Sequence, residues 1–297
     1  MSLIESYTPD YVLRLQQNQR ACSCAGCFNA SPLVQLRWKN QVRHSAVLSC
    51  DSAAREILCH DKFLQLHIGE AVAENLPKLC SALSVVNQCC LRLLTVNQAD
   101  PCFFLFQLGR FLTKIQQRQK DKSPGMLMDE LLQPVQLRQS AAEFSGARIE
   151  EGCKMAALRT LGQLKIQANI AAQNSEALSQ RLSILAASSD DCLQQHLRSL
   201  QQQSLGWQAL PQILTNFLGY ELYHNVFPGS NVAEWQFAFA DLCQHLFQLK
   251  MLGALCMQLN LPLDTSNISA LFAAWQRARP QRVFTANPAV FGMALLK

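Results

Sequence analysis

The chain has 297 residues, of which 49% are apolar and only 16% charged, with a formal net charge of +5. It is too apolar and too weakly charged to be disordered, and too mildly basic for a dedicated nucleic-acid binder. No apolar run approaches the length of a membrane span.

The opening stretch carries Glu5 and Asp10 and lacks a basic start followed by an apolar block, so no cleaved signal peptide is expected. Thr8 followed by Pro9 predicts a helix over 9–19. LVQLRW, residues 33–38, alternates as a strand does and is expected to pair with 42–49 across Lys39-Asn40 as a small hairpin. A period near 3.6 then predicts helices over 52–60, 62–76 and 77–97. Asp100-Pro101 opens a helix over 101–121, followed by 126–138 and by 141–187, which is long enough to break near Asn174-Ser175. Helices over 190–204, 211–226, 232–259 and 266–278 complete the pattern. Ser140 with Glu143 and Asn231 with Glu234 have capping-box spacing. Ser123-Pro124-Gly125, Pro228-Gly229, Leu261-Pro262 and Arg279-Pro280 each end a periodic segment.

The expected fold is all-α, an orthogonal or bundle-like protein of about ten or eleven helices with one small N-terminal β-hairpin. Its expected division is a helical half over 1–139, carrying a Cys-rich loop at 20–33, and a second half over 140–297, carrying the long helix and an apolar tail.

Thirteen cysteines without an export signal point to a reducing cytosol and free thiols. The densest cluster is Cys22-Ser-Cys24-Ala-Gly-Cys27, where a glycine permits a tight turn that wraps a soft cation. The fourth ligand is drawn from Cys50, His44, Cys59 or His60; Cys50 completes an all-thiol set of Cys22, Cys24, Cys27 and Cys50. The same loop also reads as redox-labile or simply unpaired, and no cofactor is expected beyond the structural zinc that such a set admits. Glu56 with His60, Glu221 with His224 and Asp241 with His245 are carboxylate–imidazole pairs three or four apart. Converging, the last four would suit a di-iron type site, although such pairs also occur on any solvated helix face.

Arg110, Lys114, Arg118 and Lys122 recur in steps of four and form a basic stripe along one helix, suited to an acidic protein surface and less to a membrane surface or nucleic acid. The tail around Phe284, Phe291 and Leu295 is too apolar to stay in water, so it packs on its own core or enters a partner's groove. Nucleotide-loop, hydrolase-elbow and zinc-protease motifs are missing from the sequence, and no small-molecule substrate is evident.

Low charge, many apolar helices and 32 glutamines, which solvate helix faces without repelling a neighbour, favour a non-enzymatic adaptor or scaffold subunit bound to other protein subunits. A cytosolic assembly linked to bacterial secretion or the envelope is the expected setting. The alternatives are a helical metal-dependent oxidase and a binder of anionic surfaces or nucleic acid through residues 110–122.

Overall fold

The computed structural model describes residues 2–18, 22–61, 64–117, 122–147, 150–279 and 287–297. In chain order the elements are β1 (Leu3–Pro9), α1 (Asp10–Gln17), β2 (Leu33–Trp38), β3 (Gln41–Ala46), α2 (Asp51–Leu58) and β4 (Leu66–Val72). Then follow α3 (Ser81–Val96), α4 (Pro101–Gln117), α5 (Pro124–Leu131), α6 (Pro134–Gly146), α7 (Glu151–Gly162) and α8 (Ala172–Ala187). The last are α9 (Asp190–Ser204), α10 (Leu210–His224), a 3-10 turn at Val232–Glu234, α11 (Trp235–Gln258), α12 (Thr265–Ala278) and α13 (Pro288–Ala294). The protein is thus mostly helical with one small sheet.

The chain forms two compact units. The first gathers residues 1–80, 164–180 and 256–279; the second gathers 81–163, 181–255 and 280–297. Residues 139 and 140 both lie on α6 within the second unit.

In the first unit the hairpin forms as its alternation predicts, β2 against β3 with Trp38 opposite Gln41 and Leu33 opposite Ala46. Asn40 locks the turn by donating to the Leu79 carbonyl and accepting from the Leu79 N–H. Two further strands enlarge the expected hairpin into a four-stranded sheet beside the helices. β1 runs parallel to β3, and β4 pairs antiparallel with all seven residues of β1, giving the order β2-β3-β1-β4. The helix expected over 62–76 therefore does not form. Gly69 weakens any helix there, and Ile68 and Val72 suit a pleated surface, so pairing with β1 decides the conformation. Thr8 lies in β1, and Pro9, extended, is the residue that caps α1. Tyr11 of α1 hydrogen-bonds the buried Ser45 hydroxyl at 3.0 Å. Helix α2 packs on α1 and on α12, whose Ile268, Leu271, Phe272 and Trp275 are buried.

The second unit is helical. α3 packs on α4, α5 and α10, and α7 packs on α9 and α13. The segment expected as one helix over 141–187 is three pieces. Gly146 and Gly162 end α6 and α7, whereas Asn174-Ser175 falls inside α8. At Gly162 a Cβ would lie 2.6 Å from the Ala186 nitrogen, so glycine permits this close approach as well as the stop. Asp100 caps α4 as expected, accepting from the N–H groups of Cys102 and Phe103. Asn231 likewise accepts from Ala233 and donates to Glu234. Ser140 caps nothing: it is buried mid-helix and accepts from Arg110 at 2.6 Å. Among the described residues no helix is long and apolar enough to cross a membrane.

Candidate metal centre

Two turns of the first unit bring four thiols together. In the first, the Cys24 carbonyl accepts from the N–H groups of Cys27 and Phe28, and Phe28 and Asn29 take left-handed backbone with φ of 49° and 65°. That reversal folds the loop back toward β2. In the second, Cys50 donates its N–H to the Val47 carbonyl at 3.1 Å and then stands as the extended residue before α2. Gly26 is where the two turns meet; a Cβ there would lie 1.8 Å from the Ser49 carbonyl oxygen.

The sulfurs of Cys22, Cys24, Cys27 and Cys50 all lie within 4.8 Å of one another. Cys24 and Cys27 are 3.7 Å apart, as are Cys22 and Cys50. A tetrahedral ion with metal–sulfur bonds of about 2.3 Å separates its sulfurs by about 3.8 Å, so the cage has the size of one such ion. Cys24, Cys27 and Cys50 are buried and Cys22 is half-buried.

The amides at the start of α2 point at this cage. Asp51 N–H donates to the Cys24 sulfur at 3.4 Å. Burial raises the Cys22 thiol, but hydrogen bonds from Ser52 and Cys24 outweigh it and bring the group down to about 6. Burial pushes the Cys27 and Cys50 thiols up, so these two keep their protons until a cation displaces them. Cys27 donates its S–H to the Cys22 carbonyl at 3.0 Å.

From α12, Arg277 holds the second turn. It donates to the Ser49 carbonyl at 2.6 Å, to Asp51 Oδ1 at 3.2 Å and to the Gln167 carbonyl at 3.1 Å. Only a planar guanidinium reaches three acceptors in this spread. Arg277→Lys is expected to lower stability by about 1–2 kcal/mol in urea denaturation, because the ammonium leaves at least one of these acceptors unmet. A cavity of about 360 Å³ opens beside the half-buried ligand, lined by Gln16, Asn18, Cys22, Asn29, Ser31 and Ser52 among others.

The remaining sequence candidates fall elsewhere. His44 sits in β3 beside Gln35, and His60 reaches Glu56 at 3.2 Å, so neither joins the thiol cage. Glu56 also accepts from Arg14 at 3.0 Å. Among the described residues the four cysteines are the only such group of metal-ligating atoms, so Glu221, His224, Asp241 and His245 do not converge on one. Glu221 instead accepts from Asn225 at 3.0 Å, and His224 stacks on Tyr220.

The basic stripe is not a bare row of cations. Arg110 ion-pairs with Glu143 at 2.6 Å, and Lys122 pairs with Glu130 at 2.5 Å. Lys114 is on α4, while Arg118 lies outside the described residues. In the tail, Phe291 and Leu295 are buried within the second unit, with α13 against α4 and α7; the core-packed alternative is the one observed. Phe284 lies outside the described residues.

Two residues escaped the sequence reading. Arg277 stands beside Arg279 and Arg282 in the sequence, and nothing local distinguishes it from them. Lys154 is buried, and burial together with the charge of Lys250 lowers its pKa. Its signal was present, since Lys154, Ala157, Leu158 and Leu161 share an apolar helical stripe.

What this describes is a mostly helical protein with a four-thiol centre on a small mixed sheet. Residues 87–282, about two thirds of the chain, match the family model of the FliB lysine N-methylase C-terminal domain, and the chain belongs to that family. The match includes Arg277 but not the four cysteines. No curated protein and no solved structure matches the chain.

Proposed function

We propose that this protein is a lysine N-methylase, transferring a methyl group to the Nζ of lysine side chains in a protein substrate, with a flagellar protein as that substrate. The observation that carries the reading is the family match across two thirds of the chain. The nucleophile in such a transfer is the neutral amine, so the substrate lysine gives up a proton to solvent before or as the N–CH3 bond forms, while the S–CH3 bond of a sulfonium donor breaks and the donor leaves as a neutral thioether.

The four thiols are proposed to hold one soft metal ion, zinc first, since the cage size and the all-sulfur donor set both suit it. When bound, the ion cross-links the two turns and stabilises the fold around them. The chain's own residues prepare this: the α2 amides lower the charge cost of thiolates, Arg277 fixes the Cys50 turn, and Gly26 lets the turns touch.

A second reading keeps the protein as a non-enzymatic adaptor for other protein subunits in the cytosol, supported by its low charge and by exposed apolar side chains such as Leu3 and Ile68. Incubating the metal-loaded chain with purified flagellar filament protein and tritiated S-adenosylmethionine separates the two. Label on lysine Nζ is expected. Binding of the filament protein without label, and with no enhancement over a chain-free control, would replace the enzyme with the adaptor.

A further inference from the structure

The outer half of the small sheet carries an ordered pattern. Across β1 and β4, Leu3 faces Val72, Glu5 faces Glu70, and Tyr7 faces Ile68. The period of two puts all six side chains on one side. They form a grid in which a carboxylate pair is flanked along the strands by an apolar pair at each end. Leu3 is 64% exposed, Ile68 70% and Val72 46%, and both glutamates are exposed.

This arrangement is unfavourable for the free protein. Like charges directly opposite one another repel, and exposed apolar side chains gain nothing from folding. Among the described residues neither glutamate takes part in an ion pair; the Tyr7 hydroxyl donates to Glu5 and holds that carboxylate in place. A cavity of about 740 Å³ adjoins the pair, lined by Leu3, Glu5, Gly69 and Glu70 together with Lys39 and Lys78.

We infer that this face docks an extended, lysine-bearing segment of the protein substrate. The segment's ammonium sits over Glu5 and Glu70, and apolar side chains two residues to either side rest on Leu3 with Val72 and on Tyr7 with Ile68. The chemistry selects this occupant. Two carboxylates complement one cation, and Lys39 and Lys78 beside them oppose a multivalent ion or a polyamine. Rows about 6.8 Å apart along the sheet match alternate residues of an extended chain. The apolar pairs supply affinity and the carboxylate pair supplies selectivity. That the cation is lysine rests on the lysine N-methylase reading.

The probe is a fluorescein-labelled peptide, Ser-Val-Ser-Lys-Ser-Val-Ser, titrated with the full chain and followed by anisotropy. The wild-type chain is expected to bind it, about tenfold more tightly than the peptide with Gln in place of Lys, and less tightly as salt rises. Glu5→Gln combined with Glu70→Gln is expected to remove that preference while leaving the melting curve unchanged or higher, since it relieves repulsion. Ile68→Ser, at an exposed position, independently weakens both peptides. Equal binding of the two peptides by the wild type, no binding, or an unchanged preference in the double variant overturns the inference. Methyl transfer is scored separately: a chain that methylates lysine yet binds both peptides alike keeps the enzyme and loses this docking site, and a chain with the Glu-dependent preference but no transfer does the reverse.

Discussion

Protein purified without oxidant is expected to carry one metal ion per chain, and Cys50→Ser to carry almost none. Zinc is expected by mass spectrometry and elemental analysis, because sulfurs 3.7 Å apart leave room for a single tetrahedral ion. Removing Cys50 leaves three ligands, and burial makes one of them, Cys27, reluctant to ionise without a cation nearby. The stability effect follows by linkage: where free metal exceeds its Kd a thousandfold, binding contributes about 4 kcal/mol, so Cys50→Ser and strong chelation should each lower the unfolding free energy by about that amount. The two effects should not add, since each removes the same ion. Because Cys27 and Cys50 release protons to bind the ion, retention should weaken steadily as the pH falls, and more steeply below about 6, where Cys22 also takes up a proton. Iron with acid-labile sulfide would keep the four ligands and overturn the single-ion assignment, since a cluster needs a wider cage. Full metal retention by Cys50→Ser would remove Cys50 from the centre.

Short-range chemistry was legible and long-range pairing was not. The 22–27 spacing admits a metal loop as well as an unpaired one, and Cys50 stands among its candidate fourth ligands because a thiol is chemically matched to the other three. Asp100 and Asn231 start their helices as their side chains predict, because a cap is settled within a few residues. β4 was misread because its seven residues are held by partners some sixty positions away, and nothing local in LHIGEAV marks β1 as the partner. Arg277 could not be singled out for the same reason: its acceptors come from Ser49, Asp51 and Gln167. The ion pairs of the basic stripe were out of reach for the same reason: Glu143 and Glu130 reach Arg110 and Lys122 from other elements. The family lay out of reach because residues 87–282 hold no short motif that ties a reaction to a spacing.

Gly26→Ala is expected to be the most damaging single methyl group in the first unit. The side chain would meet the Ser49 oxygen at 1.8 Å, the Ser49 carbonyl carbon at 2.5 Å and the Cys50 nitrogen at 2.9 Å. All three are backbone atoms, so no rotamer change makes room. The Ser49 carbonyl is also the acceptor for Arg277 at 2.6 Å, which resists its displacement. The loop must therefore lift away from the 47–50 turn, and Cys24 and Cys27 move off from Cys50 with it. Two measurements should change together. Unfolding free energy should fall by about 3 kcal/mol or more, and the fraction of chains that retain metal should fall with it. Excess zinc should restore part of the stability of Gly26→Ala, since the loop can be drawn back, but none of that of Cys50→Ser, which lacks the ligand. Wild-type stability and metal content in Gly26→Ala would mean that the two turns do not touch as described, and the close thiol cage would go with that contact.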